Sequence, residues 1–231
     1  MNWPAQCAGV IPCLNEAAAI EPLVREVQKH LPTVIVVDDG STDATAALAS
    51  KAGAEVLRHD QPRGKGAALK AGWERAVERG FAWALSMDGD GQHSPCNIPA
   101  FLHCAEKSGA ALIVGNRMAS PTGMPLIRQW TNRYMSRRLS RLAGQHLPDT
   151  QCGYRLMHLP AWSRLSLQTS HFEMESELLL AFAAGHKIAF VPIQVIYRDE
   201  ESKISPLRDT LRWFRWLERR AQTRSTRISA N

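Results

Sequence analysis

The sequence predicts an α/β fold in which helices flank a mostly parallel sheet. Three observations carry that reading. The first two-thirds of the chain alternate short apolar runs with amphipathic stretches, the pattern of repeated β-α-β units. The run Val34 to Val37 is almost purely β-branched, as expected of a strand covered on both faces. Acidic or glycine-rich loops follow the apolar runs closely, most clearly Asp88-Gly89-Asp90-Gly91-Gln92-His93 after Phe81 to Leu85. In open α/β sheets, loops at the C-terminal ends of strands form the ligand crevice.

Taken in order, Ala8 to Pro12 reads as the first strand. Glu16 to His30 follows as a helix, with Ile20, Leu23, Val24 and Val27 on one face. Val34 to Val37 is the second strand, and the loop Asp38 to Asp43 offers Thr42 or Asp43 as cap for an Ala-rich helix ending at Ala52. Ala54 to Leu57 is a third strand, and the loop Arg63-Gly64-Lys65-Gly66 precedes a helix over Ala67 to Glu78. The strand Phe81 to Met87, a helix from Ile98 to Lys107 and a strand from Ala111 to Val114 complete the regular part. Beyond it come a Pro/Gly loop from Arg117 to Pro125 and a basic helix over Leu126 to Ala143. Asp149 to Met157 is a loop entering a strand, Glu173 to Ala184 a helix, Ile188 to Tyr197 a strand around Pro192, and Pro206 to Thr223 a helix.

The 231 residues suit one well-buried domain, and no repeat or low-complexity linker divides them. The five cysteines are scattered without a CxxC pair, which argues against zinc and thioredoxin-like chemistry and suits a reducing, cytoplasmic setting. There is no signal-peptide pattern, and no window approaches the ~20 apolar residues of a membrane span. Charge is uneven. From Lys203 onward eight Lys/Arg face only Asp209 and Glu218, and this +6 equals the formal net charge of the whole chain. The high pI therefore belongs to one segment. A nucleic-acid module is disfavoured, because the basic charge is confined to that tail and the acidic loops would repel phosphate.

Four loops are predicted at or near one sheet edge: Pro12-Cys13-Leu14-Asn15-Glu16, Asp38-Asp39-Gly40-Ser41, Arg63-Gly64-Lys65-Gly66 and Asp88-Gly89-Asp90. Together they supply what a nucleoside diphosphate needs. Carboxylates accept from base and ribose, a glycine-flanked lysine and helix N-termini suit phosphate, and paired acids suit Mg²⁺ or Mn²⁺. With Gly115-Asn116-Arg117, Asp149-Thr150-Gln151-Cys152-Gly153-Tyr154-Arg155 and Glu201-Ser202-Lys203, these stretches form an ordered set over about residues 8–205. In that set the chain resembles the family-2 inverting glycosyltransferases with a GT-A, Rossmann-like fold. Within them it is most similar to the dolichyl- or polyprenyl-phosphate sugar synthases, such as the dolichyl-phosphate mannose synthases.

The resemblance implies a glycosyltransferase domain over 1–205, with a nucleotide-sugar half near 8–92, an acceptor half near 93–205, and a basic tail over 206–231. It implies that Pro12, Glu16 and Asp39 surround base and ribose, with Lys65 on the phosphates. Asp88 would help place the sugar nucleotide and would join Asp90 and Gln92 around the divalent metal. Arg117, Arg128 and Lys203 would take the acceptor phosphate or departing diphosphate. Asp149 would sit near the donor sugar as base or positioning group. The implied catalytic set is thus Asp90, Asp149, Arg117, Arg128 and Lys203.

The resemblance implies a nucleotide-sugar donor, its sugar and base left open, and as acceptor a polyprenyl phosphate or, in the second reading, a saccharide or lipid hydroxyl. A sugar-1-phosphate nucleotidyltransferase is disfavoured, because the first loop lacks the glycine-rich basic character that chemistry wants. Two departures fall on the acceptor side: Asn132 where these synthases often carry Ser, and Glu201 before Ser202 where Gly is common.

Plainer roles are expected for several conspicuous residues. Arg133, Arg137, Arg138 and Arg141 read as a solvated helix face, Cys152 as a buried small residue, and His93 as packing against the acidic loop. Glu173, Glu175 and Glu177 divide evenly between a surface role and one acid facing the donor sugar. The tail carries Leu207, Leu211, Phe214 and Leu217 at helical spacing, flanked by Trp213 and Trp216. It suits either a peripheral anchor at the inner face of the cytoplasmic membrane or docking on the core. The oligomeric state is left open.

Overall fold

The computed structural model describes residues 1–169, 173–195 and 213–217. Its strands are β1 (Cys7–Cys13), β2 (Val34–Asp38), β3 (Glu55–Arg58), β4 (Trp83–Ser86), β5 (Leu112–Asn116), β6 (Arg155–His158) and β7 (Ile188–Pro192). Its helices are α1 (Trp3–Gln6), α2 (Ile20–Gln28), α3 (Thr45–Lys51), α4 (Lys65–Glu78), α5 (Ile98–Ser108), α6 (Leu126–Ala143), α7 (Leu159–Trp162) and α8 (Glu173–Ala183). The strands form one seven-stranded sheet in the order β3-β2-β1-β4-β6-β5-β7. β6 runs antiparallel to both its neighbours, and every other pairing is parallel.

The predicted strand runs overlap β1 to β5 and β7 with shifted ends, and the last run stops at Pro192 rather than Tyr197, whose position lies outside the described residues. β1, β2 and β4 are buried at every position, consistent with helices on both faces, whereas β3 at the sheet edge is half-exposed. The helix α4 lies against β1 and β2, and Gly72 makes that approach possible: a Cβ there would stand 2.4 Å from Val10 Cγ1 and 3.1 Å from Val37 Cγ2. Trp73 on the same helix is buried, and its indole donates to Ser86 Oγ at 2.8 Å, tying α4 to the end of β4.

Some elements differ from expectation. β6 appeared in the sequence only as a loop entering a strand. Its reversal matters, because it pairs Arg155 with Ser86 on one side and Val114 on the other. The segment before β6 therefore reaches the edge where the parallel strands end. α2 starts at Ile20 rather than Glu16, because Thr45 Oγ1 and Asp43 Oδ2 hold the Glu16 and Ala17 N–H groups. α4 starts at Lys65 rather than Ala67, since Gly64 adopts φ +99° and its carbonyl accepts from Ala68. The single-turn helices α1 and α7 carry no periodic signal that the sequence reading could use.

Of the expected tail helix, 213–217 is helical, with Trp213 and Leu217 buried and the Trp213 indole donating to Ser176 Oγ at 2.9 Å. The rest of that tail, and Lys203, lie outside the described residues. Among the described residues no helix is long and apolar enough to cross a membrane.

Candidate active site

The connectivity turns to opposite sides of β1, towards β2 in one direction and β4 in the other. Such a switch point opens a crevice beyond the carboxyl ends of the strands. On the β2 side, Asp39 is buried and organises the loop before α4. Its Oδ1 meets His59 Nδ1 at 2.7 Å and accepts from the Arg63 N–H at 2.9 Å, and its Oδ2 accepts from the Gly64 N–H at 2.8 Å. Asn15 has φ +55°, uncommon for a residue with a side chain, and its Oδ1 accepts from the Thr42 N–H at 2.9 Å. Asp39 and Asn15 thus join the three loops on the β1/β2 side of the crevice.

At the end of β4 the acidic loop lies directly against the first loop. A Cβ on Gly89 would meet Cys13 Sγ at 2.6 Å and the Pro12 carbonyl at 3.2 Å, so only glycine fits between the two acids. Lys65 Nζ bonds Asp88 Oδ1 at 2.6 Å and Glu175 Oε1 at 2.9 Å. Gly153 leaves room for this contact, since a Cβ there would lie 2.9 Å from Lys65 Nζ and 3.0 Å from each Asp88 oxygen. Burial pushes the Asp88 carboxyl up, but the charge of Lys65, then of His93, together with the Lys65 hydrogen bond and the charge of Arg117, outweighs it and holds the group at about 2. Asp90 goes the other way. Burial, then the charge of Asp88, push it up to about 6 against one hydrogen bond from the Gln92 N–H.

Among the described residues no group of three His, Cys, Asp or Glu side chains is arranged to hold a metal. The donor set Asp88, Asp90 and Gln92 nevertheless fits a hard divalent cation of the Mg²⁺ type. Such an ion typically takes one or two carboxylates from protein and completes its shell with water and substrate phosphates. Burial and, after it, the charge of Asp88 disfavour the ionised Asp90 carboxyl, and a bound cation would relieve both.

Across the crevice, Asp149 is fully buried, and five N–H donors fill its two oxygens. Oδ2 takes the Arg117 backbone at 3.0 Å and Nε at 2.8 Å. Oδ1 takes Arg117 Nη2 at 3.0 Å, Asn132 Nδ2 at 2.8 Å and the Gln151 N–H at 3.1 Å. Burial raises this carboxyl, but the hydrogen bonds and charge of Arg117 and the Asn132 amide more than offset it and hold the group below the usual carboxylate range. Asn132 Oδ1 in turn accepts from Ser136 Oγ at 3.0 Å, and Thr150 lies 3.1 Å further along.

The family model described as Glycosyl transferase family 2 matches residues 10–165. This chain belongs to glycosyl transferase family 2. A UDP-N-acetylglucosamine–dolichyl-phosphate N-acetylglucosaminyltransferase from Methanococcus voltae is 30% identical over 214 residues, covering 82% of this chain and 85% of that protein. An undecaprenyl-phosphate mannosyltransferase from Micrococcus luteus is 28% identical over 213 residues, covering 85% of this chain and 86% of the relative. Among solved structures, glucosyl-3-phosphoglycerate synthase from Mycobacterium tuberculosis, in a complex with Mn²⁺, UDP and phosphoglyceric acid, superposes with a TM-score of 0.69. It is 22% identical and covers 92% of this chain and 75% of its own, which supports the GT-A fold.

In this family-2 glycosyltransferase the fold brings Pro12, Glu16, Asp39, Lys65, Asp88, Asp90 and Gln92 to one edge, and Asp149 with Arg117 to its far side. Arg128, in the first turn of α6, is exposed. His93 is buried near Tyr154, with ring centroids 5.3 Å apart, and Cys152 is buried with its thiol pushed up to about 12 by burial. Glu173, Glu175 and Glu177 are all buried, contrary to a surface role.

Two residues make contacts that the sequence reading did not assign to them. Glu175 supplies the second carboxylate on Lys65. Arg155 spans the base of the crevice, donating to the carbonyls of Cys152 at 2.8 Å, Glu175 at 2.7 Å and Thr150 at 3.2 Å. The available signal was an α8 sequence with apolar residues on every side of its acids, which marks a buried helix whose carboxylates need partners.

Proposed function

We propose that the chain moves a sugar from a nucleoside-diphosphate sugar to a polyprenyl phosphate or related phosphorylated lipid carrier, with inversion at the anomeric carbon. The observation that carries the acceptor class is Asp149. Its five donors and full burial leave no oxygen to accept a proton. A hydroxyl acceptor needs a general base. A lipid phosphate does not, because its second pKa of about 6 leaves it ionised at neutral pH. Orientation then suffices.

Asp149 acts in this reading as a positioning residue. It fixes the Arg117 guanidinium on the acceptor side, where its charge is felt at Asp88. Arg117 draws the acceptor phosphate in and Arg128 extends the cationic side; the family resemblance gives Lys203 the same role. Pro12, Glu16 and Asp39 shape the base and ribose pocket. Lys65 is held by Asp88 and Glu175 where it can neutralise diphosphate. Asp88, Asp90 and Gln92 would hold Mg²⁺ or Mn²⁺, which when bound offsets charge on the leaving diphosphate. The names of the relatives from Methanococcus voltae and Micrococcus luteus, both built on lipid phosphates, support the same acceptor class. In this reading the chain works at the inner face of the cytoplasmic membrane.

The test has two arms. Thermal-shift screening against UDP, GDP, CDP and dTDP, with and without Mn²⁺, should show metal-dependent stabilisation by one nucleotide, absent in Asp90→Ala. Incubation with the matching sugar nucleotide and polyprenyl phosphate should give an acid-labile glycolipid. Nucleotide stabilisation without transfer to any phosphate lipid would move the acceptor to a hydroxyl. No stabilisation by any nucleotide would reject the donor site.

A further inference from the structure

Among the described residues the most exposed large apolar side chains are concentrated on α6. Leu126 is 79% exposed, Ile127 74%, Trp130 72% and Tyr134 41%. The buried residues of this helix, Asn132, Met135, Ser136 and Leu139, define its core side. At about 100° per residue, Leu126, Ile127, Trp130 and Tyr134 fall on the opposite side. The same outer surface carries the exposed Arg133, Arg137, Arg138 and Arg141. The helix holds five arginines and no acid. Residues 1–202 are balanced overall, so this is a local concentration of charge.

The described part of the tail does not offer a comparable face. Trp213 and Leu217 are buried, and Phe214 packs towards Tyr134 with ring centroids 6.0 Å apart. Among the described residues the exposed apolar surface is therefore centred on Leu126, Ile127 and Trp130 of α6, with Tyr134 at its edge beside Phe214.

We propose that the outer face of α6 is a membrane-docking surface: Leu126, Ile127 and Trp130 insert among the headgroups of an anionic bilayer, and the arginines beside them meet its phosphates. Exposed aliphatic and Trp side chains on an arginine-rich helix match an interfacial membrane helix in composition. Each basic residue near an anionic leaflet contributes roughly 1 kcal/mol. A second copy of this chain fits less well, because a two-fold contact would set the same arginines against one another. The core side of this helix carries Asn132, whose amide bonds Asp149 at 2.8 Å. One rigid element thus has lipid on its outer face and the Asp149–Arg117 anchor on its inner face.

The test is co-sedimentation of the full chain with phosphatidylcholine vesicles, with and without phosphatidylglycerol. Nucleotide and acceptor are omitted, so the result stands apart from the transferase reading. Wild type should bind the anionic vesicles and be released by salt. The triple variant L126S/I127S/W130S should partition at least roughly tenfold more weakly at an unchanged Tm, and R133Q/R137Q/R138Q should lose the dependence on phosphatidylglycerol. Wild type that stays in the supernatant, or a triple variant that binds as wild type does, would overturn the proposal. So would a drop of several degrees in the triple variant's Tm, which would mean that the chain's own residues cover the patch. A dimer in light scattering that the same variant dissociates would assign the face to a second copy instead.

Discussion

Replacing Asp149 by Asn removes one charge at constant volume and isolates the anchor under Arg117. In the wild type Oδ1 takes three N–H donors and Oδ2 takes two. The carboxamide turns one of these oxygens into a donor, so at least two N–H groups are stranded whichever way it sits. Breaking a buried, hydrogen-bonded ion pair costs about 3–5 kcal/mol. A chain of this size loses about 2–4 °C in Tm per kcal/mol, so the expected drop is on the order of 10 °C.

The pH dependence has a definite sign. The folded carboxyl lies below its ordinary value of about 3.9, so the native state gains from ionisation above that pH and loses the gain as pH falls through the folded value. Thermal unfolding of wild type and variant from pH 8 to pH 5 should therefore show a constant gap, narrowing below about pH 4. A shift under about 2 °C at pH 7, or a gap that stays constant into acid as far as the wild type remains folded, would refute the reasoning.

Three further outcomes are expected. Gly153→Ala puts a methyl group 2.9 Å from Lys65 Nζ and 3.0 Å from the Asp88 oxygens. It should weaken metal-dependent nucleotide stabilisation by roughly tenfold while Tm falls only a few degrees, because preorganised charge is lost without a core cavity. Gly72→Ala forces a Cβ to 2.4 Å from Val10 Cγ1 and should cost about 1–3 kcal/mol by overpacking, seen in urea unfolding. Iodoacetamide at pH 8 on the native protein should label exposed Cys96 and spare Cys7 and Cys152, whose thiols burial pushes up, as read by peptide mass spectrometry.

What the sequence made legible follows from what periodicity encodes. α6 spans Leu126–Ala143, as its sequence predicts, because it lies between Pro125 and Gly144, and Gly144 closes it in the left-handed region. β1, β2 and β4 were legible because burial on both faces leaves a continuous apolar run. The direction of β6 was not, since an apolar run reads alike either way along the sheet. Asp39 and Asp88 were visible from their loops, but Glu175 reaches Lys65 from α8, an element about 110 residues further on, and no local pattern announces that contact. Asn132 looked like a loss on the acceptor side, whereas its amide is spent on Asp149 and its carbonyl on Ser136.

The crevice acids differ chiefly in how the protein compensates them. Asp39 is satisfied by loop N–H groups and His59, Asp88 by Lys65, and Asp149 by Arg117 and Asn132. Each of these bonds also fixes a loop or a cation, so compensating the acid and ordering the site are one act. Asp90 accepts the Gln92 N–H, and among the described residues no cationic side chain pairs with it. Burial and the neighbouring charges of Asp88 and Glu16 act on it together. A half-buried carboxylate set beside other acids without a cation marks a site where a ligand is to share the space. The site is therefore rigid at three corners and undercompensated at the fourth, where a divalent ion bound together with the diphosphate would supply the missing positive charge.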